Sequence, residues 1–264
     1  MPTAHYENGI VSTSAGGSTD ISADIFTTGE IYYVNSSGGS DSNSGLNRNA
    51  PKATLSSALT DATASNGDII IIEASHTETL TGSLAFSEAG ITVLGLGSGS
   101  TKPAFTVNGN VDMFDITAAR VRISGLRFPA GTAAHTARIN IGAAQAILED
   151  LDFTCGANDL NSITVPDAGD YAVISGCTFT ISADGPDAGI LVESATTLGL
   201  HVLSCQFDGG SYDFDDAGLY SAVAHINYLY RANTLTNKAS IIHTAAAKGI
   251  CTGTIAGDGS RVEI

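Results

Sequence analysis

Four segments of the chain repeat one pattern, and this pattern decides the fold: RISGLRF (122–128), ILEDLDF (147–153), VISGCTF (173–179) and HVLSCQF (201–207). Each segment has alternating apolar residues, a turn-forming residue and a closing Phe. The closing residues lie 25, 26 and 28 positions apart, and Leu235 continues the series after another 28. Upstream, ITVLGLG (91–97) matches with Leu96 in the place of Leu126, a step of 30. Self-similarity at such a period is typical of solenoids.

A solenoid explains why the register is fixed, because each coil stacks on the next at the strand spacing of ~4.8 Å. An ordinary β-sandwich gives no reason for a fixed step of ~26 residues. Equivalent residues should therefore form columns. We expect one column of Leu126, Leu151, Cys177, Cys205 and Asn233, and another of Phe128, Phe153, Phe179 and Phe207 with the rings face to face.

The open ends of a solenoid must be covered. Residues 51–65 predict a short amphipathic capping helix, with Asn49 or Ala50 before it and Pro51 in its first turn. The stripe that would face the first coil consists of Leu55, Ala58, Leu59 and Ala62. At the other end the sequence predicts a shorter coil without a helix, which a partner subunit could cover.

Composition and charge exclude several classes of function. The 264 residues include 27 Asp and Glu against 11 Lys and Arg, a formal net charge of −16. Phosphate neutralisation needs clustered basic residues, so this balance argues against nucleic-acid binding, and equally against an anionic membrane surface. Hydrophobic residues make up 43% of the chain, which is enough for a substantial core.

The sequence shows no export signal in its first residues and no apolar run long enough to span a membrane. Its four cysteines, Cys155, Cys177, Cys205 and Cys251, form no CxxC pair. Synthesis in a reducing cytoplasm, without a signal peptide, is the expectation. Because Cys177 and Cys205 fall in the apolar column, we interpret them as small core residues.

Three further stretches resemble the start of a known fold family: residues 32–59, which contain YYVNSSGGSDSNSG and the cap PKAT, 66–80 (NGDIIIIEASHTETL) and 90–105 (GITVLGLGSGSTKPAF). The resemblance is to the pectin-lyase-like right-handed parallel β-helix proteins. It implies an all-β, single-stranded right-handed parallel β-helix with coils of about 25–30 residues. The superfamily includes polysaccharide lyases, hydrolases, esterases and non-catalytic virion proteins, so the fold alone does not choose an activity.

An enzyme of this fold would need paired carboxylates. The best candidates are Asp208, Asp213, Asp215 and Asp216 in one acidic loop, with Asp184, Asp187, Asp150 and Asp152 on earlier coils. Asp215 and Asp216 are similar to the adjacent Asp pair of β-helix polysaccharide hydrolases. The His-Gly and Arg-x-Lys elements of that family are replaced here by 224–226 (AHI) and 229–231 (LYR). The loop 208–216 is also a candidate Ca²⁺ site, although no other cofactor is expected.

Basic residues offer a second possibility, since a lyase would need an Arg or Lys as base. Four of the seven arginines lie within nineteen residues, namely Arg120, Arg122, Arg127 and Arg138. They show no Arg-x-Pro-x-x-Arg pattern, so we expect them to offset acidic neighbours or to contact another subunit. The six histidines form no HxH or HxxxH pair, which favours structural roles.

Residues 1–29 differ from the rest in composition and are interpreted as an extended arm, with 30–264 as the β-helix domain. Ser, Thr, Gly and Ala dominate this segment, which cannot build a core of its own. Its apolar residues are Ile10, Val11, Ile21, Ile25 and Phe26. Such spacing suits docking along a partner.

These observations favour a non-enzymatic virion structural protein, specifically a bacteriophage capsid decoration (cement) or head-fibre protein on the virion exterior. The arm would dock on a major capsid protein or another virion protein, and the resemblance implies a homo-oligomer such as a trimer. Two alternatives stay open. One is a polysaccharide-degrading enzyme such as a phage depolymerase, and the other is a carbohydrate-binding surface module with a glycan as ligand.

Overall fold

The computed structural model describes residues 27–130, 135–155, 159–181, 188–193 and 197–209, and then the strands at 217–221, 226–231, 234–237, 241–242, 248–252, 254–255 and 261–262. The predicted arm residues Ile10, Val11, Ile21, Ile25 and Phe26 lie outside these ranges. The same holds for Asp213, Asp215, Asp216 and Asn233.

The described chain is almost entirely β-structure. It contains one α-helix, α1 (Leu55–Asp61), and a 3₁₀ turn at Gly99–Thr101. In chain order the strands are β1 (Ile31–Val34), β2 (Ile69–Ile72), β3 (Thr77–Leu80), β4 (Leu84–Phe86), β5 (Thr92–Gly95), β6 (Ala104–Val107), β7 (Phe114–Ile116), β8 (Arg122–Ser124), β9 (Arg127–Phe128), β10 (His135–Ile141), β11 (Ile147–Glu149), β12 (Asp152–Cys155), β13 (Asp159–Val165), β14 (Val173–Ser175), β15 (Thr178–Ile181), β16 (Ala188–Val192), β17 (His201–Leu203), β18 (Gln206–Gly209), β19 (Ala217–Ser221), β20 (Ile226–Arg231), β21 (Thr234–Asn237), β22 (Ile241–Ile242), β23 (Lys248–Thr252), β24 (Thr254–Ile255) and β25 (Arg261–Val262).

These strands form three sheets, and each coil from β2 to β22 contributes one strand to each sheet in turn. The first sheet has the order β1-β2-β5-β8-β11-β14-β17-β20-β23. The second sheet runs β3-β6-β9-β12-β15-β18-β21-β24-β25, and the third runs β4-β7-β10-β13-β16-β19-β22. Only β25 pairs antiparallel among the described strands, at the C-terminal end. The predicted all-β solenoid is confirmed.

The phenylalanine column stacks as the repeat predicts. Phe153 pairs in register with Phe128 and Phe179, and Phe179 pairs with Phe207. Successive ring centroids lie 4.9, 5.0 and 4.6 Å apart, with interplanar angles of 9°, 4° and 4°. The pairing of β18 with β21 places Leu235 next in the series. Parallel rings at this spacing require every coil to rise by the same amount, so the column fixes the register.

The second predicted column lies at the corner between the first and second sheets. Leu126, Leu151, Cys177 and Cys205 are at most 1% exposed. Each follows a residue in the left-handed region, where φ is 72° at Gly125, 51° at Asp150, 61° at Gly176 and 52° at Ser204. The two-residue turn therefore sends one side chain inward at every coil. Both cysteines are buried thiols of the core, as expected.

One member of the aromatic column was not predicted. The register of β6 with β9 pairs Ala104 with Arg127 and so places Phe105 beside Phe128. Their ring centroids are 6.5 Å apart at 35°, which is looser than the stack that follows. Phe105 escapes the pattern because the link after Leu96 is longer and contains the 3₁₀ turn at Gly99–Thr101.

The capping helix exists but is shorter than the predicted 51–65. It begins at Leu55 with Thr54 as N-cap, not at Asn49 or Ala50, because Pro51 and Lys52 are extended. The Lys52 amide donates to the Tyr33 carbonyl (2.8 Å), so this stretch pairs with β1 instead of forming a first helical turn. The predicted apolar stripe is confirmed, since its four residues are at most 9% exposed.

Buried His76 ties the cap to the first coil. Its Nδ1 accepts a hydrogen bond from the Ser36 amide (2.9 Å), so the proton of the neutral ring sits on Nε2, which faces Glu78 at 3.2 Å. The Glu78 carboxylate also accepts from the Leu55 amide at the helix start (2.9 Å). One imidazole thus joins the loop after β1, the cap and β3, which is a structural role.

Truncating the stack should be costly. Phe153 has a ring on each side, so Phe153→Ala should lower the free energy of unfolding by about 3–5 kcal/mol through lost burial and a cavity. Phe153→Leu should cost about 1–2 kcal/mol, and exposed Thr154→Ala under about 0.5 kcal/mol. Urea titrations of the three variants measure this. If Phe153→Ala cost no more than Thr154→Ala, the column would not support the fold.

Candidate functional site

The connections between sheets differ in length, and this difference locates the surface available for function. In the four coils from β8 to β19, turns from the first sheet to the second have two residues, whereas links from the second sheet to the third cover 129–134, 156–158, 182–187 and 210–216. Variable links on a rigid scaffold are where binding and catalytic residues usually lie. The predicted acidic loop belongs to the last of these links.

Asp208 is the one member of the predicted acidic set that the structure describes. It lies on β18, half-buried, paired in register with Thr180 and Thr236. The other members, Asp213, Asp215 and Asp216, lie outside the described residues, as do Asp184 and Asp187. Asp208 therefore marks the point where the second sheet leads into the acidic loop.

Asp150 and Asp152, which lie on an earlier coil than Asp208, both form ion pairs with one buried lysine. Lys102 Nζ lies 2.9 Å from Asp150 Oδ1 and 3.0 Å from Asp152 Oδ2, and it also donates to the Asp150 carbonyl (2.9 Å). Burial disfavours the charged amine, but the hydrogen bonds to the two carboxylates outweigh it and raise the pKa of Lys102. These acids hold a cation across two coils.

Asp152 and Asp208 lie on the same sheet but not on adjacent rungs. Their positions differ by two rungs and two residues, which puts their Cα atoms about 12 Å apart. Glycoside hydrolysis uses carboxyl groups about 5–10 Å apart.

Other described carboxylates likewise hold the coils together. Fully buried Asp68 accepts from the amides of Glu30 (2.8 Å) and Thr63 (2.7 Å). Asp41 accepts from the amides of Ala53 and Thr54 at the helix start, each at 2.9 Å. On the third sheet, Asp115 accepts from Asn140, which in turn accepts from Thr164. Much of the acidity of the chain is thus structural.

The four clustered arginines separate in the structure. Arg122 pairs with Glu149 on the neighbouring rung of the first sheet (2.5 Å), and Arg127 Nε donates to the Lys102 carbonyl (3.2 Å). Arg138 is fully buried and donates to the carbonyls of Pro129 (2.6 Å) and Thr154 (3.3 Å). Arg122 offsets an acid as expected, whereas Arg127 and Arg138 donate to backbone carbonyls, which was not predicted. No common site brings the four together.

Arg120 belongs to a feature that the sequence did not suggest. A column of left-handed residues ends each link from the third sheet to the first: Gly90, Arg120, Gln145, Tyr171 and Gly199, with φ between 58° and 77°. The three residues with side chains are exposed. Successive members of this column are 30, 25, 26 and 28 positions apart, the same spacing as in the sequence repeat. The spacing could therefore have predicted the column. It was missed because Arg, Gln and Tyr are not turn-forming residues.

No metal centre or membrane span is found in the described part of the chain. Within it, no three His, Cys, Asp or Glu side chains are grouped to hold an ion. No helix there is long and apolar enough to cross a membrane.

Comparison with solved structures agrees with this architecture. A GH136 lacto-N-biosidase from Eubacterium ramulus superposes with a TM-score of 0.53 at 14% identity, over 86% of this chain and 55% of that one. The chain therefore shares the parallel β-helix fold with that protein, which is consistent with the resemblance to the pectin-lyase-like proteins. It spans about half the length of the lacto-N-biosidase. No family model and no curated protein sequence matches the chain.

A rhamnogalacturonan lyase also matches, with a TM-score of 0.43 at 14% identity over 89% of this chain and 90% of that one. At such identity the likeness concerns the fold. The three parallel sheets and the likeness to the lacto-N-biosidase confirm the resemblance seen at residues 32–105 at the level of the β-helix fold. The activity must be argued from this chain's own residues.

The ion pairs of Lys102 with Asp150 and Asp152 should make a pH-dependent contribution to the free energy of unfolding. Lys102→Met keeps the stem and should lower the free energy of unfolding by about 1–2 kcal/mol. Because the native pKa is raised above the ordinary 10.5, the difference from wild type should be constant from about pH 7 to 9 and shrink above about pH 10.5.

Arg48→Met is the matched control, since Arg48 pairs with Glu73 but its side chain is 44% exposed. It should cost under about 1 kcal/mol. Urea titrations at each pH measure both variants. Equal losses for the two would contradict the role given to Lys102.

Proposed function

We propose that this β-helix is a non-enzymatic structural protein. The observation that carries the proposal is that the described acidic side chains make structural contacts. Asp150 and Asp152 form ion pairs with Lys102. Glu149 pairs with Arg122, and Asp68 accepts hydrogen bonds from backbone amides. Carboxylates fixed in this way stabilise a rod and are not poised as acid and base. A rigid, highly charged solenoid suits a particle surface, since its net charge of −16 keeps copies soluble.

The finer proposal is a virion exterior protein, a bacteriophage capsid decoration (cement) or head-fibre protein made in the host cytoplasm. Its arm, residues 1–29, would dock on a major capsid protein or another virion protein through Ile10, Val11, Ile21, Ile25 and Phe26. The position of Thr27 supports this, because its hydroxyl donates to the Gly67 carbonyl next to the capped end. An arm leaving from that end would place the cap against the partner and point the coils outward.

The protein would form a homo-oligomer, with a trimer as the expected state. It would bind neither nucleic acid nor membranes. The net charge supports the exclusion of nucleic acid, since packaged phosphate would repel the body.

A carbohydrate-cleaving enzyme is the second candidate. The fold likeness to a lacto-N-biosidase favours it, together with the acidic link that begins after Asp208. Asp208, Asp213, Asp215 and Asp216 would supply the catalytic carboxylates, or alternatively the ligands of a Ca²⁺ ion.

Deleting residues 1–29 tests the docking proposal. The shortened protein should keep the β-sheet circular dichroism and the melting temperature of the full chain within a few degrees. It should lose binding to purified particles that lack the native protein, which co-sedimentation measures. Full occupancy by the shortened protein would contradict docking through the arm, and a lost fold would show that 27–29 belong to the body.

The two candidates predict opposite results on polysaccharides. The structural proposal predicts no release of reducing or unsaturated ends by the full chain, with or without Ca²⁺, across neutral and acidic polysaccharides. Asp213→Ala, Asp215→Ala and Asp216→Ala together should then leave particle binding unchanged. If the full chain cleaved a polysaccharide and this variant did not, the enzyme would replace the structural protein.

A further inference from the structure

The link between β6 and β7, residues 108–113 (NGNVDM), contains an asparagine followed by a glycine. Asparagine is a thermolabile residue, and because glycine has no Cβ atom, its backbone nitrogen can approach the side-chain carbonyl carbon of an asparagine before it. The chain contains two further pairs of this kind, Asn66–Gly67 and Asn8–Gly9, of which the latter lies outside the described residues. The three pairs share one chemistry, so their surroundings decide which of them reacts.

Asn108 and Gly109 have few restraints. The Asn108 amide donates to the Leu80 carbonyl (2.9 Å), which continues the pairing of β6 with β3. Among the residues that the structure describes, none forms a hydrogen bond with the Asn108 side chain or with the Gly109 amide. Both residues are exposed, and no atom lies within 4 Å of the place where a Gly109 Cβ would stand. The side-chain carbon and the nitrogen that must meet are therefore free to do so.

The two ends of this link are fixed in the body of the solenoid. Val107 is buried before it, and Met113 is fully buried at its end. The Met113 carbonyl accepts from the Leu84 amide (2.9 Å), and Val111 packs against the core. A chemical change at Asn108 is thus confined to the exposed part of the link and leaves the stacked strands in place.

Asn66 and Gly67 are restrained on several sides. The Asn66 side-chain amide donates to Asp68 Oδ1 (2.7 Å), and Asp68 is fully buried. The Thr28 hydroxyl donates to the Asn66 carbonyl (3.3 Å). The Thr27 hydroxyl donates to the Gly67 carbonyl. Moving the Asn66 side chain would take a donor from a buried carboxylate, which is costly. Asn66 is therefore protected although it is exposed.

From this contrast we infer that Asn108 is a site of spontaneous modification, at which water converts the side-chain amide into a carboxylate through a cyclic imide. The Gly109 nitrogen gives its proton to a solvent base and bonds to Asn108 Cγ, and the Cγ–Nδ2 bond then breaks with release of ammonia. Water opens the ring at one of its two carbonyl carbons. Opening at Cγ leaves an aspartate, and opening at the backbone carbonyl leaves an isoaspartate, in which the main chain passes through Cγ. The net reaction consumes one water and releases one ammonia.

The modification adds a negative charge to a link from the second sheet to the third. It makes the formal net charge of −16 one unit more negative, so the surface charge of the protein would change with age. The inference goes beyond the structural function proposed above and does not rest on it, because the reaction needs water and no partner.

The test incubates the folded full chain at mildly alkaline pH, and peptide mapping by mass spectrometry follows each asparagine. Asn108 should lose its amide at least about tenfold faster than Asn66, since Asn66 must first break a hydrogen bond to a charged group. Asn110 lies in the same link but precedes the branched Val111, so it should react more slowly than Asn108. In the chain unfolded by urea, the rates at Asn66 and Asn108 should become similar.

Matched variants in an Asn8→Ser background, which removes the pair outside the described residues, assign the charge change to one position. Asn108→Ser should abolish the acidic band that the parent protein develops with time in isoelectric focusing, whereas Asn110→Ser should leave it. Hydroxylamine, which cleaves a chain at a cyclic imide, should release the fragments 1–108 and 109–264 from the parent. Asn108→Asp should keep the melting temperature within a few degrees, because position 108 is exposed.

The inference is overturned if Asn66 reacts as fast as Asn108 in the folded chain, if Asn8 alone is modified, or if position 108 keeps its amide. The reaction is followed without particles, so a failure of the docking proposal and a failure of this one give different results.

Discussion

In-register stacking of equivalent side chains on successive coils is the interaction on which the rest of the structure depends. Phe128, Phe153, Phe179 and Phe207 meet ring to ring, 4.6 to 5.0 Å apart and nearly parallel. A slip of one residue would turn each of these rings to the opposite face of the second sheet. The stack therefore sets the rise of every coil, and with it the position of every corner.

A fixed register also explains where the charged and strained residues lie. Lys102 can reach Asp150 and Asp152 because the coils between them keep their height. For the same reason left-handed residues recur once per coil from Ser65 to Gly199. Residues in the core and at the short turns are committed to stacking, so the proposed functions fall on the arm and the long links.

The sequence predicts this fold well wherever the signal is local and repeated. The Phe column, the Leu/Cys corner and the apolar stripe of the cap follow from spacing alone. The helix start does not, because Lys52 pairs with β1, a contact that propensity does not contain. Phe105 was missed since a longer link shifts its spacing. The ion pair between Lys102 and Asp150 joins residues 48 positions apart, so no local pattern predicts it. Tyr171 has a left-handed backbone, although tyrosine is not a turn-forming residue. Tertiary contacts decided each of these cases.

Ring-to-ring contacts in solution test the account most directly. In a sample with isotopically labelled phenylalanine, nuclear Overhauser effects should connect Phe128 with Phe153, Phe153 with Phe179, and Phe179 with Phe207. The two middle rings, each lying between two others, should show upfield ring-current shifts. Observation of this chain of contacts would establish the register. Its absence in a folded sample, or contacts that skip a ring, would contradict the stacked solenoid and every site placed upon it.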